Sequence, residues 1–87
     1  MSDIEKLRKE IDKIDTNMIV LIRKRFETAR KIGKYKRKNG LRIRDLKREK
    51  EVLRKIAEKA KNRGIKDIKE IKNIYKSIMK SSRNLQK

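Results

Sequence analysis

The sequence predicts an all-α chain of three helices, one long and two shorter, that pairs with a second copy into an intertwined helical homodimer. Three observations carry that prediction. Pro is absent and the three Gly fall at 33, 40 and 64, so little breaks helices and little makes hairpins. Apolar side chains recur at alternating spacings of three and four almost from end to end. Finally, 87 residues with 48% charged and 34% apolar side chains make one small domain, residues 1–87, whose own core is thin at best.

The first stripe runs Ile4, Leu7, Ile11, Ile14, Met18, Leu21 and Ile22, then Phe26, Ala29 and Ile32, which predicts a helix over residues 3–38. Asn39-Gly40 stops it, because Gly takes the left-handed conformation that ends a helix. Gly33 lies inside the stripe and marks a close helix contact rather than a break. Leu41 to Arg44 reads as a short basic loop, and Asp45 as the N-cap of a second helix carrying Leu46, Leu53, Ile56, Ala57 and Ala60, ended by Arg63-Gly64. Asp67-Ile68-Lys69-Glu70 has the spacing of a capping box. After it, Ile68, Ile71, Ile74, Tyr75, Ile78, Met79 and Leu85 form a third stripe to the end of the chain.

Length adds an argument for the dimer. A 36-residue helix is about 54 Å long, whereas a compact chain of this size has a radius of gyration near 12 Å. The first helix therefore outruns the cover its own chain can provide. The same helix of a second copy is the simplest partner for its stripe.

Composition excludes much chemistry. With no Cys and no His there are no disulfides, no thiolate or imidazole metal sites, no thiol nucleophiles and no triad with an imidazole base. No apolar run approaches the roughly twenty residues that span a bilayer, and Met1-Ser2-Asp3-Ile4-Glu5 lacks the layout of a signal peptide, so a cytoplasmic protein is expected. The formal net charge is +18, so partners drawn in by long-range attraction are anions. Residues 1–22 hold four basic and five acidic side chains, and residues 23–44 eleven basic against one acidic, which centres the positive field on the later half of the first helix.

Four polar residues stand where helical spacing asks for a hydrophobe. Arg25 continues the series 4, 11, 18, and Lys36 lies eleven residues on, close to three whole turns and hence on the same face. Ser82 and Gln86 interrupt the third stripe as an i, i+4 pair. In so basic a chain a single Arg or Lys is ordinarily a solvated charge. Facing inward together, the four need a partner, and an anionic hydrogen-bonding ligand satisfies all of them.

Five segments taken in order, Leu7 to Asp15, Leu21 to Arg25, Ile32 to Lys36, Arg44 to Glu49 and Ser82 to Gln86, resemble the all-helical, intertwined-dimer class of chorismate mutases over nearly the whole chain. The third-helix pair comes into register with one extra residue around Arg63 to Asp67. Arg42 stands where the family often has Pro, and the basicity exceeds what the family's chemistry requires. The resemblance implies conversion of chorismate to prephenate by a [3,3]-sigmatropic rearrangement, with no metal and no cofactor. By the same resemblance Arg8 and Arg25 clamp the two substrate carboxylates, Ser82 assists as a hydroxyl donor, and Lys36 and Gln86 donate to the ether oxygen. Glu49 accepts the ring hydroxyl with help from the backbone of Asp45, and Arg48 completes the positive wall.

Helix geometry bears on one of these assignments. Arg8 and Arg25 lie about 25 Å apart along one straight helix and point about 100° apart, so they cannot grip one small molecule. Arg8 must reach the site of the other subunit, giving two shared sites per dimer, whereas Arg25 and Lys36, about 16 Å apart with long side chains, can flank one ligand. Three rivals remain open, one of them a structural helical bundle with no ligand, in which the polar interruptions are accidents. The related isochorismate pyruvate-lyase activity uses the same scaffold. A basic helical nucleic-acid-binding protein would use the stretch from Arg23 to Arg44, although aromatic residues are limited to Phe26, Tyr35 and Tyr75. Weak nonspecific nucleic-acid binding could coexist with the enzyme on electrostatic grounds alone.

Overall fold

The computed structural model describes residues 2–87 as three helices: α1 (Asp3–Lys38), α2 (Leu46–Asn62) and α3 (Ile68–Gln86). The all-α prediction is met, with the expected first helix over 3–38.

Local signals start and stop these helices. Ser2 Oγ accepts from Glu5 N at 3.4 Å, and Asp45 Oδ1 accepts from Arg48 N at 2.9 Å, each meeting one of the first-turn donors a helix leaves unpaired. At the other end, Leu41 N–H reaches Lys36 O and Gly40 N–H reaches Arg37 O, while Ile65 and Gly64 repeat the pattern on Ala60 and Lys61. Both are Schellman closures, which need a positive φ that Gly40 and Gly64 supply at 65° and 80°. The capping box expected at Asp67 does not form. Its backbone sits at φ −83°, ψ 63° rather than in the extended conformation of Ser2 and Asp45, and its side chain accepts no cap bond. A tight bond from Ile68 N to Lys66 O holds the turn instead.

α3 is the spine of the packing. It lies against both α1 and α2, which do not pack directly on each other among the described residues. Ala29, Ala60 and Met79 are the buried apolar side chains, and with them Gly33, Ser82 and Gln86 are buried. All lie in the second half of α1, the end of α2 and the second half of α3. The first half of α1 projects free of this cluster: residues 2–21 are exposed throughout, with Leu7 57% and Ile11 55% accessible. The chain measures 56 × 23 × 16 Å with a radius of gyration of 16.2 Å, well above the roughly 12 Å of a compact chain this long.

Candidate active site

A cavity of about 430 Å³ opens where α1, α2 and α3 converge beside the 39–45 loop. Arg25, Lys36, Asp45, Arg48, Glu49, Ser82 and Gln86 all line it, and so does Arg83. Ala29, Ile32, Val52 and Met79 give it an apolar floor. The interruptions of the α1 and α3 stripes thus meet, because the helices that carry them pack stripe to stripe.

Lys36 is tied in from two sides. Its Nζ donates to Ile43 O at 2.6 Å and to Gln86 Oε1 at 2.9 Å, which leaves one of its three N–H donors for a ligand. The same bond orients Gln86. An ammonium only donates, so the amide must turn its oxygen to Lys36, and its NH₂ is the part left to meet an acceptor. Gln86 sits in the last turn of a helix, where fraying is ordinary. Here two contacts hold it. Arg37 Nη1 donates to Gln86 O, and Gly33 lets the α3 backbone come so close that a Cβ on residue 33 would lie 2.5 Å from Gln86 Cα.

Arg25 Nη1 donates to Ser82 Oγ at 2.5 Å, and Ser82 Oγ donates in turn to Ile78 O at 2.9 Å. The single Ser82 proton is therefore engaged by the helix, and the residue acts on Arg25 as an acceptor; it could donate to a ligand only by turning away from Ile78. Arg25 keeps four other N–H donors.

The α2 wall carries the acids. Asp45 Oδ1 caps α2 and the Asp45 carbonyl accepts from Glu49 N, so its backbone N–H is the donor left for a ligand. Glu49 Oε2 lies 3.0 Å from Arg83 Nη1 and 3.4 Å from Arg44 Nε, with both Glu49 and Arg83 largely enclosed. That oxygen is shut off from solvent, and neither guanidinium is aligned to give it a true hydrogen bond. Arg48 is turned to Glu51, 2.7 Å away. Lys55 first, then Arg48, hold the exposed Glu51 carboxyl below its ordinary pKa. The net effect is a cationic cavity, with Asp45 occupied as a cap and Glu49 offset by two guanidinium groups.

Arg8 is absent from this cavity. It lies on the exposed first half of α1, about 25 Å along the axis from Arg25. Sequence reasoning passed over Arg83, Arg37 and Arg44. Arg83 carried the clearest signal, since it follows Met79 by four residues and so borders the apolar stripe. Among the described residues no three His, Cys, Asp or Glu side chains gather to hold a metal ion, and no helix is long and apolar enough to cross a membrane.

Comparison with known proteins bears on the family of the chain. The chain is 34% identical over 89 residues to a bifunctional chorismate mutase/prephenate dehydratase of Aquifex aeolicus, in an alignment that takes in the whole of this chain and 25% of that protein. The chain thus spans about a quarter of the length of that relative. It also superposes with a TM-score of 0.80 and 40% identity on the solved structure of a conserved hypothetical protein from Pyrococcus furiosus, over 100% of this chain and 99% of that one. The sequence profile of chorismate mutase type II matches residues 7–87, and with the helical architecture already described it identifies this chain as a member of the chorismate mutase type II family.

Proposed function

We propose that the chain converts chorismate to prephenate as a single-domain, intertwined homodimer, and that the convergent cavity is its active site. The observation that carries the reading is the convergence of Arg25, Lys36 and Gln86, from two helices, on one cationic cavity with an apolar floor. The substrate is a flexible dianion that must be held in a compact diaxial conformation. Its rearrangement is concerted and needs only positioning and stabilisation of the charge that grows on the breaking ether oxygen.

In this reading Arg25 grips one carboxylate with the donors that Ser82 leaves free, since the planar guanidinium suits bidentate pairing. The partner's Arg8 grips the other. Lys36 and the Gln86 amide donate to the ether oxygen, Lys36 with a full charge that counts most at the transition state. Glu49 accepts the ring hydroxyl alongside the Asp45 N–H, and Arg48 leaves Glu51 to close the positive wall. The product serves aromatic amino-acid biosynthesis in the cytoplasm.

Exposed apolar surface supports the dimer. Ile4, Leu7, Ile11, Ile14, Met18 and Leu21 form one stripe, each about half accessible. Withdrawing the stripes of two chains from water is worth on the order of 10–20 kcal/mol, against an association cost of about 4–15 kcal/mol. The direct test is incubation with chorismate, following loss of substrate absorbance and identifying prephenate. Saturable turnover to prephenate is expected. Release of pyruvate from isochorismate with no action on chorismate would contradict the reading.

A further inference from the structure

The two walls of the cavity are wired to α3 by adjacent residues. Ser82 reaches Arg25 on α1, and Arg83, turned about 100° around the helix from it, reaches Glu49 on α2. Among the described residues α1 and α2 do not pack on each other, so apart from the 39–45 loop it is α3 that spaces the walls. Resting on the proposed function, we infer that Arg83 is a positioning residue that selects a hydroxyl-bearing substrate, by pinning one oxygen of Glu49 so that the other faces the cavity as an acceptor.

The atoms of Glu49 carry the argument. Oε2 is enclosed, with Arg83 Nη1 3.0 Å away and Arg44 Nε 3.4 Å away. Oε1 makes no hydrogen bond and is not among the enclosed atoms, which leaves it as the oxygen that can serve as acceptor in the cavity that Glu49 lines. A carboxylate in a cavity that collects anions would be repelled by substrate if it swung freely. Tethered by two cations at its back, it presents one fixed acceptor, and the cations offset its charge. Such an acceptor accommodates a hydroxyl donor and repels a third carboxylate on the same ring. Arg83 is suited to the task because the ion pair is largely enclosed: its side chain is 22% accessible and that of Glu49 18%, against 71% and 57% for the surface pair Arg23–Glu27. Screening that makes surface pairs nearly neutral is weaker here.

The test is a double-mutant cycle on the intact dimer, read by chorismate kinetics. Arg83→Met should lower kcat/KM roughly tenfold, mostly through KM, because an acceptor that serves ground and transition states alike is being loosened. Arg83→Lys, which keeps the charge, should recover most of that loss. In a Glu49→Gln background Arg83→Met should cost less than about twofold, since the anion it tethers is gone. An equal loss in both backgrounds would mean that Arg83 touches substrate itself, and no loss in the parent background would mean that it does nothing for the site; either result overturns the inference. Melting curves of each variant separate misfolding from mispositioning. If the parent protein left chorismate unchanged, the proposed function would fail on that measurement alone. The tether would then be judged from the crystal structure of Arg83→Met, where Glu49 should leave its place while the α2 backbone stays; an unmoved Glu49 would refute it.

Discussion

Lys36 draws two elements together, and the consequences of its geometry can be separated by substitution. Lys36→Ala releases the Gln86 amide and, in the proposed reaction, removes a donor aimed at developing charge, so kcat should fall by about a hundredfold or more. Steady-state turnover of chorismate measures it, and wild-type kcat would remove Lys36 from the ether oxygen. Gly33→Ala probes the same amide without touching a polar group. Its new methyl would meet the Gln86 backbone, which has no flexible end to yield, so α3 must shift. We expect a loss of about 1–3 kcal/mol of stability and roughly tenfold or more in kcat/KM, from thermal melts and kinetics on one preparation. The four residues legible from helical spacing alone, Arg25, Lys36, Ser82 and Gln86, share one property: each is polar at a position where periodicity demands an apolar group, whereas Asp45, Arg48 and Glu49 were legible only through the family resemblance. Arg37 and Arg83 were not legible because they sit beside the stripes, in a chain where thirty Lys and Arg make any single one unremarkable. Their roles come from what crosses to them from another helix, which no spacing along one helix encodes.

At the scale of the helices, the ends do more than limit length. The Schellman closure at Gly40 turns the chain so that Ile43 O meets Lys36, and the Asp45 cap starts α2 with Arg48 and Glu49 in its first turn, over the cavity. Asp45→Ala should therefore cost about 1 kcal/mol of stability, within a usual range of roughly 0.5–2, and raise KM as the first turn of α2 loosens. Chemical denaturation and kinetics read the two effects, and an unchanged midpoint would show that the cap bond contributes nothing. Boundaries were legible where a side chain or a glycine acts locally, as at Asp45, Gly40 and Gly64, whereas the Ser2 cap was not read from the sequence. At Asp67 the reading found the start of α3 but not its chemistry. Backbone angles there follow the tight Lys66–Ile68 turn, a choice of loop geometry that residue spacing does not reveal.

Over the whole molecule, the proposed dimer gives one account of two observations, the exposed first half of α1 and the distance of Arg8 from the cavity. In that proposal the long helix serves two chains, and the thin core of the single chain and the place for a partner's arginine beside Arg25 follow together. The fold class was legible from periodicity, and the length of stripe left uncovered is what the sequence offers in favour of a partner; a stripe specifies a need for cover and not the direction from which it comes. Charge sets the response to pH. Glu51, the group held below its ordinary pKa, is ionised at neutrality, and its stabilising pairing with Lys55 and Arg48 is lost only as pH falls through that lowered value. With no His or Cys, and an amide rather than a carboxylate at position 86, turnover should stay nearly flat from about pH 6 to 8. A steep acidic optimum would count against Gln86 at the ether oxygen. The most direct test of a cavity completed across the dimer is to mix two inactive homodimers, Arg8→Ala and Arg25→Ala, under conditions that exchange subunits. Each heterodimer then holds one site with both arginines intact, so an equimolar mixture should recover roughly a quarter of wild-type activity. Activity no greater than the sum of the two parents, with heterodimers present by mass spectrometry, would contradict the account.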